Sequence, residues 1–284
     1  MTKYAVIGPG AVGTVIAHEI SRVHDVTLFG RQEQQVLLQT VDGEYKMNVS
    51  SLVLNDATFD VIFVAVKATK LKSILPALQN MCHSKSQVIL CQNGIGQLEL
   101  MDGFNAVQAV VYISGQKTAD RVRHFQDKKL IVPNTTAMHQ MKSDLHMTEL
   151  ELIPDTDYDR QLWFKLLVNL GINSVTALTK NTAQVVELPV VKSLTEQLLV
   201  EGIAVAEAAG YSFNTGTVND IMAIYLTYDP LMGTSMYYDT LAGVPIEYDF
   251  IQGTVKQIAV RHHVQTPVLD VCCALLEGYQ YERL

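Results

Sequence analysis

Six residues near the start, Gly8-Pro9-Gly10-Ala11-Val12-Gly13, constrain this chain more than any other stretch. Residues 3–7 read as a short buried strand, and the spacing of Val12, Val15, Ile16 and Ile20 reads as a helix. The glycines therefore fall where a strand turns into a helix, which is the context a dinucleotide fingerprint requires. Without side chains, Gly8 and Gly10 let the backbone turn tightly and let a pyrophosphate approach, while Gly13 lets the helix lie close on the sheet with its amino end toward the phosphates. The motif implies a cofactor seat formed by Gly8, Pro9, Gly10, Ala11, Val12 and Gly13.

The expected second strand, 25–29, is followed by Gly30-Arg31-Gln32. An acid for the ribose 2′-hydroxyl of NAD falls roughly 20 residues after the glycines in such folds. Here the first charge met is positive. A guanidinium grips a 2′-phosphate through paired charge-assisted hydrogen bonds, so Arg31 points to NADP(H) rather than NAD(H). The alternatives are that Glu33 faces the ribose, if the strand runs two residues further, or that Arg31 is a solvated loop cation.

Two domains are affordable, since the chain has 284 residues, 48% of them hydrophobic and 18% charged. The net charge of −8 leaves no basic face for a phosphate backbone, and nucleic acid is not expected as a partner. No basic segment followed by an apolar stretch opens the chain, and apolar runs such as 61–66 fall short of the roughly 18 residues of a membrane span. A soluble, cytoplasmic protein with no membrane partner is expected. Cys82, Cys91, Cys272 and Cys273 lack CxxC spacing and read as buried thiols, and the histidines, His262 and His263 included, lack metal-ligand spacing. No metal site is expected.

Along the first half, short apolar runs near 4–7, 26–29, 61–66, 87–91 and 106–111 alternate with helical patterns at 11–22, 70–81 and 96–101. Such alternation predicts an α/β fold with a Rossmann-type, doubly wound parallel sheet. Residues 46–54 alternate in polarity and are expected near an edge, and 121–132 as antiparallel structure appended to the sheet. After residue 155 the texture becomes helical, at 158–178, 189–209, 217–225, 249–262 and 267–281, with Pro189 and Pro267 at helix starts and Gly210 at a stop. The boundaries expected are 1–155 for a cofactor-binding domain and 156–284 for an all-α domain.

The most unusual helical stretch runs from Trp163 to Ser174. In it Lys165, Asn169 and Asn173 recur every four residues, each displaced about 40° from the last, so they form one polar stripe. Exposed stripes favour Glu, Lys and Gln over Asn, a poor helix former, so this one is expected to line a polar pocket. Ser235 lies in a break between helices, and Glu247 follows it by twelve residues. Taken alone, Glu247 reads better as a charge in the first turn of the next helix. Lys67 and Asn93 close two strands at carboxyl ends, where ligands bind in open α/β sheets, although Asn93-Gly94 also suits a plain turn.

Taken together, the glycine motif, Lys67, Gln92-Asn93-Gly94, the Lys165 to Asn173 stripe, Ser235 and Glu247 resemble the ketopantoate reductase (2-dehydropantoate 2-reductase) family from end to end. The glycine motif is common to many oxidoreductases. Lys-x-x-x-Asn-x-x-x-Asn, followed by Ser and then by Glu twelve residues later, is the specific part, and His263-Val264-Gln265-Thr266-Pro267 resembles the penultimate turn. The resemblance implies NADPH-dependent reduction of ketopantoate to pantoate, a step toward pantothenate and coenzyme A. It implies a Rossmann domain followed by a helical domain related to that of 6-phosphogluconate dehydrogenase. It casts Lys165 as general acid, Glu247 as its partner near cofactor and substrate, Ser235 on the substrate carboxylate, and Asn169 and Asn173 on its polar groups. Gly8 to Gly13, Arg31, Lys67, Asn93 and Glu247 would hold the cofactor, with Asn93 also near substrate.

The chain departs from the resemblance at Ala183 and Met232, where asparagines are expected, with Asn181 two residues from the first. Either Asn181 or a neighbour substitutes through a shifted turn, or the substrate is another branched 2-keto acid. A reading of a different class is an NADP(H)-binding redox sensor without turnover, against which Lys165 and Glu247 argue. A homodimer is expected because closed two-fold oligomers are the commonest.

Overall fold

A computed structural model describes residues 2–281. The chain divides into two compact units. One comprises the chain up to Gln92 together with Gln97–Tyr158, and the other comprises Asn93–Gly96 and the chain from Asp159 onward. The division falls three residues beyond the expected 155 and gives a short turn of the first half to the second unit.

The first unit contains β1 (Tyr4–Ile7), α1 (Ala11–Ser21), β2 (Val26–Gly30), β3 (Gln34–Thr40), β4 (Gly43–Ser51), β5 (Phe59–Val64), α2 (Leu71–Met81), β6 (Cys82–Leu90), β7 (Ala106–Gln108), β8 (Val110–Thr118), β9 (Arg121–Pro133), α3 (Thr136–Asp144) and β10 (Glu151–Asp155). The sheet order is β10-β9-β3-β4-β2-β1-β5-β6-β7, with β8 paired to β9. From β4 to β7 the strands run parallel in the doubly wound order of a Rossmann fold. Every residue of β1 is buried, and alternation deals them to two cores. Tyr4 and Val6 join Val15, Ile16 and Ile20 of α1, whereas Ala5 and Ile7 join Leu71, Leu78 and Met81 of α2. A helix on each face follows from strands that are apolar on both.

Three elements lack a strong sequence pattern. In β3 only Val36 and Leu38 are buried, and its companion β4, expected near an edge, lies inside the sheet between β2 and β3. The hairpin joining them turns at Val41-Asp42, with Thr40 facing Gly43. The short α3 starts at Thr135, whose hydroxyl accepts from the Met138 amide at 3.3 Å. The edge strand β10 ends at the expected boundary, residue 155, and tolerates Pro154 because its outer side is unpaired.

The second unit contains α4 (Tyr158–Thr179), α5 (Pro189–Ala208), α6 (Thr217–Leu226), α7 (Ser235–Ala242), α8 (Gln252–Arg261) and α9 (Pro267–Gln280). By length and composition α4 would pass as a membrane span, which the run lengths of the sequence do not signal, yet most of it is buried inside the protein, as in a core helix. Close approach explains two glycines. A Cβ at Gly202 of α5 would stand 2.6 Å from Leu170, and one at Gly171 would stand 2.4 Å from the hydroxyl of Tyr225. That hydroxyl donates to the Val168 carbonyl at 2.8 Å, tying α6 to the middle of α4. The amino end of α9 is capped by Glu201 of α5, whose carboxylate accepts from the Val268 and Leu269 amides at 2.9 and 2.8 Å.

A charge cluster closes α1 onto β9. Glu19 is fully buried and takes Lys128 at 2.7 Å and Arg22 at 3.2 Å, while Glu149 takes the same two cations at 2.6 and 2.9 Å. Hydrogen bonds from Lys128 and Arg22 lower the Glu149 carboxyl to about 2. A carboxyl depressed in the folded state contributes stability that is complete above its unfolded value and fades as the pH falls to its folded one. Lys128→Met should lower the unfolding free energy at neutral pH by about 3 kcal/mol, because Glu19 stays buried with half its compensation. It should also flatten the acid limb of the stability curve down to about pH 2, measured by urea denaturation across pH.

Candidate active site

In the first unit the turn after β1 leaves no room for side chains. Gly8 sits at φ +112, and a Cβ there would stand 2.7 Å from the Ala65 carbonyl carbon and the Val66 nitrogen. A Cβ at Gly13 would stand 2.1 Å from the Gly8 carbonyl oxygen. Gly10 differs, since nothing lies within 4 Å of its missing Cβ. The first turn of α1 holds no acid, and Gly10 offers no side-chain cap, so the amino end of the helix is left for an external anion. An open cradle at an uncapped helix end fits the pyrophosphate of a dinucleotide.

The end of β2 lies against this turn. A Cβ at Gly30 would stand 2.8 Å from Val49 and 3.1 Å from the ring of Pro9. Arg31 is the next residue and is exposed, while Glu33 lies outside the strand, directly before β3. Lys67, also exposed, precedes a single 3-10 turn, Ala68–Lys70, after β5. Because β2, β1 and β5 are adjacent and parallel, Arg31, the glycine turn and Lys67 all follow the same edge of the sheet. One further cation reaches the turn with no local sequence signal: Lys117 of β8 donates to the Pro9 carbonyl at 2.6 Å.

In the second unit the stripe on α4 turns away from solvent, with Asn169 8% and Asn173 3% exposed and Lys165 half-buried. The expected helix 249–262 is broken into a 3-10 turn, Tyr248–Phe250, and α8, because Ile251 leaves helical geometry at φ −117, ψ −84. The break frees the Phe250 carbonyl to accept from the Ile95 amide at 3.0 Å. Gly94, at φ +83, is required there, since its Cβ would stand 2.0 Å from the same oxygen. Asn93 is thereby brought to α4, where its side-chain oxygen accepts from Asn169 at a long 3.5 Å. Glu247, 7% exposed, directly precedes this 3-10 turn. Ser235 opens α7 and is exposed; Thr234 before it caps the helix through the Tyr237 amide and meets Thr176, one turn past Asn173, at 2.8 Å. Residues far apart in sequence therefore gather along one side of α4.

The two departures from the family pattern meet. The Ala183 amide donates to the Met232 carbonyl at 2.9 Å. Asn181 does not stand in for either position: it is exposed, and its carboxamide donates to the Thr179 carbonyl at 3.3 Å.

A parallel sheet with a glycine turn at its first strand, joined to a helical unit, is the constitution of an oxidoreductase with a Rossmann unit. Residues 4–136 match the family model for Ketopantoate reductase PanE/ApbA, and residues 157–280 match that for Ketopantoate reductase PanE/ApbA C terminal. The chain belongs to the ketopantoate reductase family. A dimeric ketopantoate reductase from Staphylococcus aureus is 40% identical, with a TM-score of 0.96 over 99% of each chain. A 2-dehydropantoate 2-reductase of Mycobacterium tuberculosis is 28% identical over 286 residues, 97% of each chain. A D-mandelate dehydrogenase solved with NADH and anilino(oxo)acetate, 17% identical with a TM-score of 0.89 over 99% of this chain and 98% of that one, shares the fold.

The glycine geometry separates a structural from a ligand role. Gly13→Ala should cost roughly 1–3 kcal/mol or more, because backbone must move. Gly10→Ala should leave the unfolding free energy within about 0.5 kcal/mol of the parent. Denaturant titration of both variants checks this.

Proposed function

We propose that this protein reduces 2-dehydropantoate to pantoate with NADPH. The observation that supports this best is the stripe on α4, with Asn169 and Asn173 buried and Lys165 half-buried, and with Asn93 and the Glu247 turn drawn to it. Burying two carboxamides on a helix costs free energy that hydrogen-bonding partners, a polar ligand among them, offset. As hydride reaches the keto carbon, negative charge grows on its oxygen, and Lys165 stabilises that charge and delivers a proton to it, leaving an alcohol. Glu247 keeps the ammonium charged and oriented. Ser235 binds the substrate carboxylate, and Asn169, Asn173 and Asn93 bind its other polar groups without adding charge.

The turn from Gly8 to Gly13 holds the cofactor, with Arg31 on a 2′-phosphate and Lys67 beside it, and Asn93 and Glu247 are assigned to the cofactor as well. Bound there, the nicotinamide supplies the hydride. Family membership and the exposed cation directly after β2 support NADPH over NADH. The dimeric state of the Staphylococcus aureus relative supports a homodimer, which light scattering of the purified protein tests. A second reading, reduction of a branched 2-keto acid without the hydroxyl, is favoured by the meeting of Ala183 and Met232.

The deciding experiment follows loss of reduced nicotinamide absorbance with ketopantoate or 2-ketoisocaproate, each with NADPH and NADH. Ketopantoate with NADPH should be the fast pair. Lys165→Ala should lower kcat by roughly 10²–10⁴-fold, and Arg31→Ala should erase the preference for NADPH. Turnover of 2-ketoisocaproate alone would favour the second reading, and cofactor binding without any turnover would sink both.

A further inference from the structure

Two lysines of the first unit are partly withdrawn from water, and they are treated differently. Lys128 of β9 has two carboxylates at 2.7 and 2.6 Å. Lys117 of β8 has none among the described residues, and its Nζ donates instead to the Pro9 carbonyl at 2.6 Å. Burial alone pulls the Lys117 pKa below the ordinary lysine value, with no acid acting the other way. A cation partly withdrawn from water without a countercharge is disfavoured, and an anion that arrives beside it offsets this.

The strand carrying Lys117 is shaped to reach this place. Its pairing with β9 slips twice, between Tyr112 and Ser114 and between Ser114 and Gly115. Gly115 then passes the start of α1, where an added Cβ would stand 3.4 Å from the Cβ of Ala11 and 2.8 Å from the Arg123 carbonyl. Two residues later Lys117 points back to Pro9, the residue before Gly10 and its open cradle. The unneutralised ammonium and the uncapped amino end of α1 thus flank the same turn from two sides.

We propose that Lys117 is a phosphate-binding residue of the glycine turn, fixing the Pro9 carbonyl and supplying the positive charge that a phosphate of the dinucleotide meets. This rests on the glycine turn being the dinucleotide seat. The phosphate is either the pyrophosphate common to both nicotinamide dinucleotides or the 2′-phosphate of NADPH alone.

Fluorescence titration of the full chain with NADPH and with NADH, across salt concentrations, tests it with Lys117→Met and Lys117→Arg. The Met variant should bind roughly tenfold or more weakly, with a shallower dependence of Kd on salt, and the Arg variant should recover most of the affinity. Loss for both dinucleotides assigns the pyrophosphate; loss for NADPH alone assigns the 2′-phosphate. In turnover the KM for cofactor should rise while kcat at saturation is kept. Circular dichroism and thermal melting without cofactor confirm folding, and Lys117→Gln replaces the Met variant if that one does not fold. Unchanged affinity and salt slope in a folded variant overturn the role of Lys117 and leave the glycine seat standing. A parent chain that binds neither dinucleotide overturns both.

Discussion

The first unit depends on a contact that has no side chain in it. The carbonyl of Gly8 and the Cα of Gly13 approach so closely that a methyl group at residue 13 would stand 2.1 Å from the oxygen. That approach sets α1 flat on β1, which places Val15, Ile16 and Ile20 in the core under one sheet face. Because α1 lies so close, β8 and β9 can cover its other side, and α1 packs against both. The same approach leaves the amino end of α1 uncapped beside an open position at Gly10. The packing of α1 and the open, uncapped geometry of its amino end therefore share one constraint, and a side chain at residue 13 would disturb both.

The second unit is organised around a helix that could not be stable alone in water. Leu166, Leu167 and Leu170 are buried, and Gly171 and Gly202 let neighbouring helices close on α4. The polar groups left on it are costly unless they are partnered. Ser174, Thr176 and Thr179 answer this by donating to the carbonyls of Leu170, Ile172 and Val175. The segments carrying Asn93, Ser235 and Glu247 are tied in through the Asn93 side-chain oxygen, which accepts from Asn169, the Phe250 carbonyl, which accepts from Ile95, and the Thr234 hydroxyl, which meets that of Thr176. Backbone geometry that looks irregular, the break at Ile251 and the positive φ of Gly94, is what makes that gathering possible.

Membership of the ketopantoate reductase family accounts for both halves at once, since each half matches its own model in the family. The substrate assignment within it turns on polar complementarity. Ala183 and Met232 meet through backbone atoms, and neither brings the carboxamide that the family pattern has at these positions.

The sequence alone determined the parallel sheet, the glycine turn, the change to helices near residue 155 and the polar stripe on α4. Each is a local pattern: buried strands read as apolar runs, a turn without side chains reads as glycines, and a helix face reads as a four-residue repeat. Only the tertiary structure decided the rest. The strand β3 has just two buried residues to announce it, and β4 moved inside the sheet because β3 and then β9 added to its outer side. The helix expected at 249–262 is broken at Ile251, and the carbonyl this frees at Phe250 accepts from Ile95, a partner over 150 residues away. Asn181 looked able to replace an asparagine at 183, but its carboxamide turns to the end of α4. Lys117 has no motif around it, and its meaning comes from Pro9, 108 residues earlier. Periodicity records what a segment buries, whereas these outcomes depend on which distant backbone groups remain to be satisfied once the segments have packed.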